Sequence, residues 1–120
     1  MQIVGDDLLT TNAARVAEAA TGQLCNAALI KPNQAGTVTE TCAALEAAQR
    51  ASMATIVSAR SGESEDASIA HLAVGWNAGQ IKVGSFARSE RMAKWNELIR
   101  IEEALGSDAC YAGRGALRVR

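Results

Sequence analysis

The chain has 120 residues, a net charge of −1, and 25 alanines against four aromatic residues. It is too short for a complete eight-stranded α/β barrel, which takes about 250 residues. Its near-zero charge gives no electrostatic footing for nucleic acid or an acidic membrane surface. A composition 48 % hydrophobic and 21 % charged is globular rather than disordered, and a core made mainly of alanine buries little apolar area per residue.

In chain order, the first strand is expected at Gln2-Ile3-Val4, ending at Gly5-Asp6-Asp7. A helix follows from Ala13 to Thr21, capped by Thr11 or Asn12 and stopped by Gly22. The second strand, Asn26 to Ile30, ends at Lys31, and Pro32 and Gly36 mark a loop. Thr37-Val38-Thr39-Glu40 is a capping box opening a helix to Arg50, with Val38, Cys42, Leu45 and Ala48 on one face. The third strand, Ala54 to Val57, runs into Ser58-Ala59-Arg60-Ser61-Gly62, and a helix spans Asp66 to Trp76. The fourth strand is Gln80 to Val83, the last helix Ser89 to Leu105 with Gly106 after it, and the remainder is mostly irregular. Four βα units of this size predict a parallel sheet, because a parallel crossover needs a helix-sized connection. No apolar run is long enough to span a bilayer and no segment resembles a signal peptide. Three cysteines without CxxC spacing argue against a zinc site or disulfide framework and place the chain in the reduced cytoplasm.

Each strand leads into a charged or hydroxyl-bearing group: Asp6 and Asp7, then Lys31, then Ser58, Arg60 and Ser61, then Lys82 within the fourth apolar run. In α/β folds the ligand crevice lies at these carboxyl ends. A single residue of this kind is an ordinary loop charge, but its recurrence at the same end of every unit points to a site. A carboxylate takes a hard cation such as Mg²⁺, and Arg60 with Ser61 suits a phosphate or carboxylate. Two lysines facing each other across a crevice disfavour each other's charge, so one can serve as a general base. Together these groups fit proton abstraction next to a carboxylate. A response-regulator receiver domain has a similar layout, with an acidic pair, a hydroxyl and a lysine. It lacks roles for Lys31 and Arg60, and this chain has no aspartate at the end of the third strand.

The segments Ile3-Val4-Gly5-Asp6-Asp7-Leu8, Leu29 to Thr37, Ser58 to Asp66, Gly79 to Gly84, Arg88 to Arg91 and Trp95 to Glu103 resemble the enolases in one continuous order. The resemblance runs from residue 2 to residue 113. It implies an α/β fold of four βα units, half of an enolase-type TIM barrel over residues 1–113, with an irregular tail over 114–120. It also implies Mg²⁺-dependent interconversion of 2-phosphoglycerate and phosphoenolpyruvate plus water, a glycolytic lyase reaction on a small phosphorylated substrate. By resemblance, Asp6 is a ligand of the catalytic Mg²⁺ and Lys31 removes the proton next to the substrate carboxylate. Arg60 and Ser61 bind substrate phosphate, with Ser58 opening their loop. Lys82 contacts the substrate carboxylate and eases deprotonation of Lys31.

The pattern departs from the family at Ala59, where histidine is usual, and at Pro32 and Ala35, where larger aliphatics are usual. His71 falls inside a helix, where a surface or packing role is expected. The family's general acid glutamate and other metal carboxylates come from earlier sequence, so these 120 residues alone are expected to show little or no turnover. The alternatives are one half of a split enolase, a non-catalytic enolase-derived binding module, or an enolising enzyme of altered substrate. Exposed edges of a half-barrel favour self-association or pairing with a missing N-terminal half.

Overall fold

A computed structural model describes residues 1–118. The elements are β1 (Val4–Gly5), α1 (Ala13–Thr21), β2 (Ala27–Ile30), α2 (Pro32–Ala35), α3 (Val38–Arg50), β3 (Ala54–Ser58), α4 (Ser68–Gly75), β4 (Gly79–Lys82) and α5 (Ser89–Leu105). Two 3₁₀ turns, Gly106–Asp108 and Gly113–Ala116, follow. Of the tail expected over 114–120, residues 119 and 120 lie outside the described residues. The four strands are parallel and ordered β1-β2-β3-β4, the sequential order that four neighbouring strands of an α/β barrel have.

Local chemistry sets the boundaries. Asn12 caps α1, its side chain accepting from the amides of Ala14 and Arg15 at 3.0 and 3.1 Å. α4 starts two residues later than expected because Asp66 lies ahead of the helix, accepting from Ser68 N at 2.8 Å. The stretch after Lys31 is a one-turn helix rather than a loop. Pro32 fits its first position, where an amide would be unpaired anyway, and Gly36 ends it at φ 97°. The α3 cap differs in detail from the expected box. Thr37 Oγ1 accepts from Glu40 N at 3.2 Å, while the Glu40 carboxylate accepts from that same hydroxyl at 2.8 Å rather than from the Thr37 amide.

The buried face of α3 is Thr41, Ala44, Leu45 and Ala48; of the expected face, Leu45 and Ala48 are buried, Cys42 is half-buried and Val38 is exposed. Thr41 can be buried because its hydroxyl donates to Thr37 O at 2.6 Å within the helix. α3 packs on α1 and on β2 and β3, and Ala44 and Ala48 let the backbones approach closely. β2 and β3 are buried throughout, as expected for the central strands of a parallel sheet. Leu9, Val16, Ile30, Leu45, Met53 and Val57 are the large apolar members of the core cluster. Gly5 is obligatory at the end of β1, since a Cβ there would lie 2.7 Å from Leu9 Cδ1 and 2.8 Å from Cys25 Sγ.

Gln2 and Gln80, at opposite edges of the sheet, exchange amide hydrogen bonds of 2.9 and 3.3 Å. Gln80 also donates to Ala116 O at 2.9 Å, and Gln2 accepts from Arg118 N at 3.2 Å. The C-terminal segment thus docks at the amino end of the sheet.

Candidate active site

At the opposite, carboxyl end, β1 gives way to Asp6, whose carbonyl accepts from Leu9 N and Thr10 N at 2.9 and 3.0 Å and turns the chain back. Lys31 follows β2 directly. Its amide donates to Thr11 Oγ1 at 2.9 Å, and that hydroxyl donates to Gln34 Oε1 at 2.8 Å. Buried Thr11 therefore links the β1 loop to the segment carrying Lys31. Lys31 Nζ meets Asp6 Oδ1 at 2.6 Å, with side-chain exposures of 11 % and 42 %.

Ser58 ends β3, fully buried and in register with Lys82. Lys82 Nζ lies 3.4 Å from Ser58 Oγ, which donates to Ala59 O at 2.8 Å. Lys82 closes β4 rather than sitting inside it, which puts it at the strand's carboxyl end with the other groups. Ala59 is buried, and its amide donates to Lys82 O at 2.9 Å. Arg60 and Ser61 are exposed on the loop beyond. The structure thus pairs Asp6 with Lys31 and Lys82 with Ser58, and leaves the Arg60 and Ser61 side chains facing solvent.

Three further residues bear on this loop: Glu63 and Asn33, which lie in the resembling segments without an assigned role, and Lys94, which lies outside them. Glu63 Oε1 accepts from Arg60 N at 2.7 Å and from Asn33 Nδ2 at 3.0 Å. Lys94, on α5, is completely buried and donates to Ser64 O at 2.5 Å and Glu90 O at 2.7 Å. Its Nζ lies 3.7 Å from Glu63 Oε2. A recess of about 150 Å³ lies beside this group, lined in part by Pro32, Asn33, Glu63 and Asp66. A larger cavity of about 450 Å³ lies at the amino end, between Ile3, Ala20, Cys25 and Met53. It is far from these charged groups, so size alone does not mark the site.

Asp66 is held below the ordinary carboxylate value, chiefly by the Ser68 amide. His71 is a surface residue, its Nε2 2.9 Å from Glu97 Oε1. Hydrogen bonds from Arg100 and then His71 hold Glu97 below its usual range.

Asp6 offers the hard oxygens that Mg²⁺ takes, but it is one carboxylate already engaged by Lys31. No group of three or more His, Cys, Asp or Glu side chains suited to a metal occurs among the described residues. These residues do not by themselves make a Mg²⁺ site, which uses several oxygen ligands in near-octahedral geometry.

Residues 1–119 match the family model described as "Enolase, C-terminal TIM barrel domain". The chain is 56 % identical over 115 residues to "Enolase 1" of Desulfitobacterium hafniense (strain Y51), covering 96 % of this chain and 26 % of that relative. It therefore spans about a quarter of the length of the curated relative it matches.

Proposed function

The chain belongs to the enolase family, and from that premise we propose that it carries the base and anion-binding part of a site interconverting 2-phosphoglycerate and phosphoenolpyruvate plus water. The observation that carries this reading is the clustering of Asp6–Lys31 and Lys82–Ser58 at the carboxyl end of one parallel sheet. Lys31, turning from Asp6 toward the substrate, takes the proton from the carbon next to the carboxylate. The negative charge that develops on the carboxylate faces Lys82. Arg60, with Ser61 beside it, holds the phosphate, the guanidinium suiting a bidentate contact.

Loss of the hydroxyl as water then needs a proton donor, and the family resemblance assigns that role to a glutamate from earlier sequence. Mg²⁺ is the cation of this reading, with Asp6 contributing one of its carboxylates. The setting is the cytoplasm, in keeping with three free cysteines. Among the described residues no helix is long and apolar enough to cross a membrane. β1 and β4 each have one strand neighbour, so the partner is a complementary barrel portion or a second copy.

The test is complementation. Purified alone, the chain is expected to form no phosphoenolpyruvate. Mixed with a separately expressed N-terminal portion of an enolase, it is expected to give Mg²⁺-dependent turnover. Lys31→Ala should lower that rate by at least about a hundredfold. Full activity from the chain alone, or a Lys31→Ala mixture as active as the parent, refutes the assignment. A specific second reading attaches to Ala59, whose methyl replaces a ring beside Arg60. If Ala59→His raises 2-phosphoglycerate turnover in the mixture, the natural substrate differs in that region.

A further inference from the structure

The loop bearing Arg60 and Ser61 and the segment bearing Lys31 belong to different βα units, and one carboxylate joins them. Glu63 Oε1 accepts from the Arg60 amide at 2.7 Å, closing the four-residue turn that presents Arg60 and Ser61. The same oxygen accepts from Asn33 Nδ2 at 3.0 Å, and Asn33 stands two residues beyond Lys31 at the start of α2. The second oxygen faces Lys94 Nζ at 3.7 Å. Lys94 is fixed in turn by Ser64 O and Glu90 O at 2.5 and 2.7 Å.

A lysine buried this completely persists only when paired and hydrogen-bonded, so the carboxylate has a fixed counter-charge behind it. That balance matters on the solvent side. With Lys94 facing Glu63, that carboxylate competes less for Arg60, the one cationic side chain of a loop that also carries Glu65 and Asp66.

We propose that Glu63 is a positioning residue that sets the spacing and orientation of Lys31 relative to Arg60–Ser61, with Lys94 as its anchor. The proposal rests on the reading above that these residues address one phosphorylated substrate. Glu63 itself touches no reacting atom. It acts through the Arg60 amide and through Asn33.

The experiment uses the ¹⁵N-labelled chain, with amide hydrogen exchange and titration with inorganic phosphate, both followed by NMR. Glu63→Ala is expected to raise exchange at the Arg60 amide about tenfold, as loss of one charge-assisted hydrogen bond does. It should shift resonances in both 31–35 and 60–63, and it should weaken phosphate binding about tenfold. Glu63→Gln, which keeps an acceptor for the Arg60 amide, is expected to restore most of the protection. Asn33→Ala should shift 31–35 while the Arg60 amide stays protected. If Glu63→Ala does not fold, the Gln and Asn33 variants carry the same comparison. Unchanged Arg60 exchange in Glu63→Ala, or an effect confined to 60–63 with 31–35 silent, overturns the proposal. A parent chain that shows the exchange coupling yet binds no phosphate removes the substrate reading and leaves the positioning role supported.

Discussion

At the amino end of the sheet, Gln2 and Gln80 bridge opposite edges with neutral amides, and the tail supplies Ala116 O and Arg118 N to the same pair. At the carboxyl end, the contacts between units include charged pairs, Lys31 with Asp6 and Lys94 with Glu63, beside the neutral links through Thr11. The amide bridge is self-contained, with donors and acceptors answering one another, so it contributes shape. The charged end keeps unspent capacity, because Asp6 is 42 % exposed and Arg60 faces solvent. In barrels, features of the amino face serve stability and those of the carboxyl face serve chemistry. Here both behaviours occur within four strands.

The sharpest way to break this contrast is Lys94→Met. It removes the counter-charge from Glu63, takes from Ser64 O its Lys94 donor, and leaves Glu90 O only its helical backbone bond. We expect a loss of about 3 kcal/mol in urea unfolding. Thr11→Val comes next. It keeps the β-branched shape at φ 52° but strands the buried Lys31 amide, and about 1–3 kcal/mol should be lost. If the contrast is right, that variant also shifts Lys31 and Asp6 resonances while Gln2 and Gln80 stay still. Gln2→Ala, at the other end, should cost no more than about 1 kcal/mol and leave the Asp6–Lys31 pair undisturbed.

The smallest effect belongs to Asp66. Its folded carboxyl titrates below the ordinary 3.8, so its capping contribution is fully present above that value. The contribution is lost as pH falls through the lowered folded value. Helicity of the parent chain should decline over that acidic window, and Asp66→Asn, which caps without a charge, should flatten that part of the profile. An unchanged profile would show that the Ser68 contact carries no pH-dependent stability.

Much of the charged end was legible because strand periodicity ends at Asp6, Lys31 and Ser58, and the motif order did the rest. Lys82 was one residue out, since Val83 extends the apolar run past the last paired residue and stays buried in the loop. Only Leu45 and Ala48 of the α3 face are legible, because alanine and threonine are ambiguous in a hydrophobic pattern, and a threonine that satisfies its hydroxyl within the helix behaves as an apolar residue. Lys94 was not legible at all. Nothing local marks a lysine whose partners are a carbonyl one turn earlier in its own helix and a loop from another unit, although it is the largest fully buried side chain among the described residues. The 2–80 bridge was equally hidden, because each glutamine alone is an unremarkable polar residue at a strand start.

That bridge also bears on how the chain folds. Strand pairing links successive βα units, so each step of sheet growth closes a loop about the length of one unit. The Gln2–Gln80 contact spans 78 positions, and Arg118 to Gln2 spans 116. Loop-closure entropy makes such distant contacts poor nuclei. They are expected to form after the transition state, so weakening them should speed unfolding and leave the folding rate nearly unchanged. The amino-end clasp is then a late lock on a sheet already assembled by its neighbours, and it is the first part to let go.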